Sequence, residues 1–270
     1  MTTTPNLEVR IQETQTPERK AGPGRVIAVV LGACLAIATI GYAALMQVDL
    51  VIHSVSVERN VFTGIRAIRV DAPGSVNVHA MGASAVLVQA TLDGGIAHGS
   101  SHLKVVDGVL TITGTCPPII SPTCDVSYDL AVPRSTLLTL HGSDIVVSGT
   151  DGGVTAISSS GVVRLRDVSG QVLAQSSAGE VIGDELRAGY VRASSSAGDV
   201  RLSFAVSPRA VTAHSSAGDV VVQVPPDSTT YRVTAHTSAG SQSVSVRTSP
   251  DAASSITATS SAGDVRVEYR

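Results

Sequence analysis

The 270-residue sequence predicts an all-β protein: a parallel β-helix, or solenoid, of 18–23-residue coils preceded by one transmembrane helix. Three observations carry this expectation. Ser-Ser-Ala-Gly-Asp-Val, at 215–220, returns in close copies through the C-terminal half. The residues between copies alternate apolar and polar, the period of a β-strand. Near the N-terminus, Val26 to Val48 contains no charged residue.

Composition narrows the class further. Nineteen Lys+Arg against 22 Asp+Glu leave no basic excess, so nucleic acid is not an expected partner. There is no Trp, and Phe62 and Phe204 are the only phenylalanines. A core without large aromatic payloads must be filled by Val, Ala, Ile and Leu, which implies a narrow interior in thin layers.

Residues 1–25, rich in Thr, Pro and Glu and without apolar periodicity, are expected to be a disordered cytoplasmic tail. Residues 26–48 are expected to be a membrane-spanning signal anchor. Their densest apolar part, 26–46, would cover about 30 Å at ~1.5 Å per residue. Two alternatives stay open: cleavage near Gly41-Tyr42-Ala43, and lipidation at Cys34 of Leu31-Gly32-Ala33-Cys34. The apolar stretch is longer than the roughly 7–15 residues of a signal peptide, which disfavours cleavage, and it continues past Cys34, which disfavours lipidation. Arg19, Lys20 and Arg25 precede it and Asp49 is the first charge after it. The positive-inside rule then leaves the N-terminus in the cytoplasm and the rest outside the cell membrane.

Residues 49–63 are expected to be a juxtamembrane linker, and 64–270 the extracytoplasmic solenoid. Within 64–140 the strand candidates are 68–70, 76–78, 86–90 and 128–133, with 105–112 as a hairpin turning at Asp107-Gly108. Aligned on the turn glycine, the repeat gives Gly142, Gly161, Gly179, Gly198, Gly218, Gly240 and Gly263, with gaps of 19, 18, 19, 20, 22 and 23. Such periods signal a stack in which no repeat buries its apolar face alone. The glycine suits a corner needing positive φ, and serines stacked rung over rung could bond one another.

Cys116 and Cys124 flank a Pro-rich loop beyond the export segment, a setting that favours a disulfide over a metal site. Glu180, Asp199, Asp219 and Asp264 follow their turn glycines and would form a column. It reads as a solvated row, with a bridging Ca²⁺ as the weaker alternative because the calcium nonapeptide is missing. His214 and His236, each four residues before its glycine, read as surface histidines on adjacent rungs, close enough in principle to share a metal. No nucleophile elbow, carboxylate pair or phosphate loop is present. No enzyme, cofactor or metal site is therefore expected.

VDAPGSVNV (70–78), VVDGVLTITG (105–114), YDLAVP (128–133) and the recurring SSAGDV together resemble the putative-adhesin family of bacterial β-strand-repeat envelope proteins. The resemblance covers roughly residues 64–270. It implies a right-handed β-helix-like solenoid behind a membrane anchor, and offers no catalytic residues to carry over. The expected function is non-catalytic adhesion or envelope sensing, with another envelope protein or a glycan as partner. A carbohydrate-active β-helix enzyme and a self-assembling structural protein are the alternatives. The chain runs out at Val265-Arg266-Val267-Glu268-Tyr269-Arg270, which reads as the last rung. Its outward Arg266, Glu268 and Arg270 would guard that end and keep residues 50–270 monomeric.

Overall fold

The computed structural model describes residues 23–51, 54–95, 99–117 and 124–270. The chain forms two units, Met1–Gln47 and Val48–Arg270. Most of helix α1 (Pro23–Val51) lies in the first. The expected tail falls outside the described residues except at Pro23–Arg25, which are helical. Side chains of α1 are described over 30–44 and at Gln47, all exposed. Among the described residues no helix is long and apolar enough to cross a membrane.

The second unit is built from β1 (Ser54–Thr63), β2 (Ala67–Asp71), β3 (Val76–Met81), β4 (Ala85–Gly94), the hairpin β5 (Ser100–Val106) and β6 (Val109–Thr115), and β7 (Asp125–Pro133). Two-strand coils follow: β8 (Leu137–Gly142) with β9 (Ile145–Ser148), β10 (Val154–Ser158) with β11 (Val163–Arg166), and β12 (Val172–Ser176) with β13 (Val181–Leu186). The series continues with β14 (Tyr190–Ser195) and β15 (Val200–Phe204), then β16 (Ala210–Ala217) and β17 (Val220–Val224). The last two coils are β18 (Tyr231–Ala239) with β19 (Gln242–Val244), and β20 (Ser254–Ala262) with β21 (Val265–Tyr269).

Two facing sheets result. One runs β1-β4-β7-β3-β9-β11-β13-β15-β17-β21-β19, the other β18-β20-β16-β14-β12-β10-β8-β2-β6-β5. Pairing between coils is parallel, as the repeat requires. The first sheet ends in antiparallel β1–β4 and β4–β7, and the second in the β5–β6 hairpin, whose turn holds Asp107 at φ 49° and Gly108 at φ 75°.

The register explains the composition. An inward column of Ala156, Ala174, Ala193, Ala213 and Ala258 runs up the second sheet, beside Val154, Val172, Val191, Val211 and Ile256. Across from them stand Val163, Val181, Val200, Val220 and Val265, with Leu165, Leu202, Val222 and Val267 alongside. All are buried. Methyl groups on one side let two sheets of medium aliphatics approach closely, and Tyr128, Phe204 and Tyr231 are the aromatic side chains that are fully buried among the described residues.

Three expectations need correction. Residues 54–63 are strand β1 rather than linker, so the fold begins ten residues before 64. The C-terminal segment is not the last rung. β20 lies between β16 and β18, and β21 between β17 and β19, so the terminal rung is β18–β19. Arg266, Glu268 and Arg270 therefore guard no edge. The opposite end is interleaved in the same way, with β2 between β8 and β6 and β3 between β9 and β7.

Third, positive φ is not what every turn glycine supplies. Gly218 (φ 155°), Gly240 (φ 152°) and Gly263 (φ 146°) have it, but Gly179 and Gly198 are not among the positive-φ residues. The shared requirement is space. A Cβ on Gly179 would lie 2.0 Å from the Gly161 carbonyl oxygen, and one on Gly263 2.3 Å from that of Gly218.

Candidate functional site

The turn column is structural, and its bonding is specific. The first serine of each hexapeptide is buried. Ser176, Ser195, Ser215 and Ser260 donate through Oγ, each at 2.8 Å, to the carbonyl oxygens of Gly161, Gly179, Gly198 and Gly218 in the neighbouring rung. The serines bond glycine carbonyls rather than one another. This satisfies acceptors that the sharp corner removes from the ladder.

The acidic column has a matching task. Asp219 N–H donates to Asp199 Oδ1 (2.7 Å), Asp264 N–H to Asp219 Oδ1 (2.8 Å) and Ser241 N–H to Asp264 Oδ1 (2.9 Å). Each carboxylate thus caps the backbone of the next rung. Its second oxygen is free for arginine, as in Arg201 with Asp199 and Arg266 with Asp264 (2.9 Å). These carboxylates are committed to backbone N–H groups rather than converging on one point. Among the described residues no group of three or more His, Cys, Asp or Glu could hold a metal ion.

His214 and His236 are not on adjacent rungs. Both pair with Thr259, which stands between them, and His214 Nδ1 lies 3.0 Å from Thr259 Oγ1. Two rung spacings, about 9.6 Å, separate the imidazoles, whereas ligands of one zinc lie only ~2 Å from it. Cys116 and Cys124 are joined in a disulfide, with Cα atoms 5.8 Å apart.

Three of the exposed carboxylates give the fold a pH dependence. The Ser241 N–H, and then Arg266, hold Asp264 below its ordinary 3.8. Arg134, and then the Ser169 hydroxyl, do the same for Asp151, and the Ser207 hydroxyl with the Thr229 N–H for Asp227. A depressed folded pKa favours the fold when the group is ionised, so this stabilisation is complete above the ordinary value. It disappears as pH falls below 3.8 through the folded values. The urea midpoint should therefore hold level from neutrality to about pH 5 and drop below about pH 4. A midpoint rising on acidification would contradict the assignment.

Among the described residues, the concave feature with the most apolar lining lies on the outer face of the antiparallel end. There β1, β4, β7 and β3 cup a groove of about 420 Å³. Register builds it as two rails running across the strands. Arg59 pairs with Gln89, and Gln89 with Asp129; two residues along, Val61 pairs with Leu87, Leu87 with Ala131 and Ala131 with His79. Pairs directly opposite in a ladder share a face, so one rail is polar and the other chiefly apolar.

The apolar rail is open: Val61 is 62% and Leu87 45% exposed. Val55 and Val57 extend the same outward face along β1 and are also exposed. The polar side chains are already paired: Arg59 Nε donates to Gln89 Oε1 at 2.9 Å, and Asp129 Oδ1 lies 3.4 Å from Nδ1 of His79 at the end of the other rail. β1 is the edge strand of its sheet, so the backbone on its outer side has no strand partner among the described residues.

None of these residues was singled out in the sequence. The available signal was the alternation Val55-Ser56-Val57 just past the uncharged run. It was missed because the apolar set faces outward rather than into the core.

Residues 138–268 match the family model described as Toastrack DUF4097. No curated protein matches the chain. Among solved structures, the chain is similar to a putative cell adhesion protein of Clostridium sporogenes at 10% identity and TM-score 0.35, over 80% of this chain and 100% of that one. It is also similar to a putative adhesin of Bacteroides fragilis, at 13% identity and TM-score 0.36, over 80% and 97%. A putative lipid binding protein of Parabacteroides distasonis is similar at 11% identity and TM-score 0.37, over 80% and 97%.

Proposed function

We propose that this chain, in which residues 138–268 form a Toastrack DUF4097 domain, is a single-pass membrane-anchored envelope protein. On this reading its solenoid binds another envelope component without chemistry. The observation that carries the binding role is the two-rail groove. Val61 and Leu87 are directly paired and both open, beside an edge strand that has no further strand partner among the described residues, and this combination suits a partner surface. The anchor is supported by the uncharged run 26–48, which lies within helix α1 (Pro23–Val51). Arg25 before it and Asp49 after it favour export of the solenoid. Adhesion or sensing follows from binding on the outer side. The groove's polar side chains are already bonded to each other, which suits recognition more than catalysis.

Photo-crosslinking in intact cells tests this. A photoreactive residue replacing Leu87 should give a discrete crosslinked adduct, and the same residue replacing Thr155, on the outer face of the other sheet, should not. Val61→Asp in the Leu87-labelled chain should reduce the adduct at least tenfold. Equal labelling at both positions, or none at 87, would remove the groove as the binding face. In the same cells an impermeant maleimide should label Ser203→Cys; labelling of Thr2→Cys instead would reverse the topology.

A further inference from the structure

The interleaved C-terminal rung defines a slot as well as a strand pair. Its inner wall is β16–β17 and its outer wall β18–β19, and the occupant is held by both. On the inner side Ser260 Oγ donates to the Gly218 carbonyl at 2.8 Å and Asp264 N–H to Asp219 Oδ1 at 2.8 Å. On the outer side Thr237 Oγ1 donates to the Gly263 carbonyl at 2.7 Å, and Gly263 N–H to the Ala239 carbonyl at 2.9 Å.

The match to the inner wall is complete in sequence. Ser-Ser-Ala-Gly-Asp-Val at 260–265 lies on the identical hexapeptide at 215–220, with Ser215 opposite Ser260, Ala217 opposite Ala262 and Val220 opposite Val265.

Chain order makes this slot unusual. Residues 231–244, its outer wall, precede 254–270 in the sequence, and β18 and β19 have their strand ladders to β20 and β21, so the segment that fills the slot also holds its outer wall. One connection, 245–253, joins the outer wall to it.

We propose that the slot is a binding site for a strand–turn–strand segment of the Ser-Ser-Ala-Gly-Asp-Val type, and that its second occupant is the C-terminal segment of another copy of this chain. Two copies exchange residues 254–270 reciprocally. All rung contacts are re-formed in the exchanged dimer, and the 245–253 connection alone takes a new path. Exchange of an identical element is a low-cost route to a dimer. The proposal does not rest on the groove, which lies on the antiparallel end of the fold.

The test uses the full chain in detergent micelles. In a Cys34→Ser background, His214→Cys and Thr259→Cys place thiols at directly paired positions on β16 and β20. Two differently tagged preparations are unfolded without reductant, mixed, refolded over a hundredfold range of concentration and then oxidised.

The expected product at high concentration is a 214–259 disulfide joining the two tags. The ratio of exchanged dimer to monomer should rise in proportion to monomer concentration. A 214–259 link confined to single chains at every concentration overturns the proposal. Should the cysteine pair not refold, the chain with His214 and Thr259 intact is refolded with two tags and sized by light scattering. Dimers carrying both tags support exchange, and monomers throughout overturn it.

Discussion

Gly179→Ala should cost more than about 3 kcal/mol of stability, because its Cβ has nowhere to go. It would lie 2.0 Å from the Gly161 carbonyl oxygen and 2.4 Å from that carbonyl carbon, both backbone atoms fixed by the rung below. Relief requires the two rungs to separate, which also disturbs the Ser176 bond to the same carbonyl. Gly189 is the control. A Cβ there meets nothing within 4 Å, so Gly189→Ala should stay within about 0.5 kcal/mol of the parent. Urea unfolding of both variants, with unchanged slope, measures the contrast. Equal midpoints would show that the glycine column is not held by close approach.

Deleting residues 254–270 should disrupt the C-terminal third of the solenoid, a larger effect than trimming an end rung. The segment contributes Ile256, Ala258, Val265 and Val267, each fully buried, and Ser260, which is nearly so. Each large aliphatic removed forfeits roughly 1.5–3 kcal/mol of burial. The loss also strips partners from both walls of the slot, β16–β17 and β18–β19. Amide exchange should show lost protection at Val220–Val224 and throughout 231–244, with residues 145–186 protected as before. If protection were lost only within 231–244, the rung order would be wrong.

The repeat, its period and its strands were legible because each depends on local pattern: apolar alternation, a turn glycine and a serine before it. Rung order was not, since any coil of this type can stack on any other. One residue did carry the information. Ser241 stands where Glu180, Asp199, Asp219 and Asp264 are acidic, and those of the carboxylates that bond backbone serve the following rung. A rung with nothing beyond it has no N–H to receive, so the break in the acidic column marked the end of the stack. Strand β1 was hidden for the opposite reason. Its valines follow the strand period but face outward, so burial logic gave them no place in the fold. The candidate groove was accordingly invisible, while the residues that drew attention, His214, His236 and the acidic column, turned out to be apart or already engaged.

The interleaved ends also set how the molecule bears load. A pull on Arg270 acts on a segment gripped by ladders on both sides, so β20 and β21 must slide between two neighbours before anything opens. A pull on Ser54 acts on β1, which a single ladder to β4 retains. Tension along the chain should therefore undo the molecule from its N-terminal edge and spare the opposite end. In single-molecule stretching the first and weakest event should lengthen the chain by about ten residues, the length of β1. Release of the C-terminal rung should come last and at the highest force.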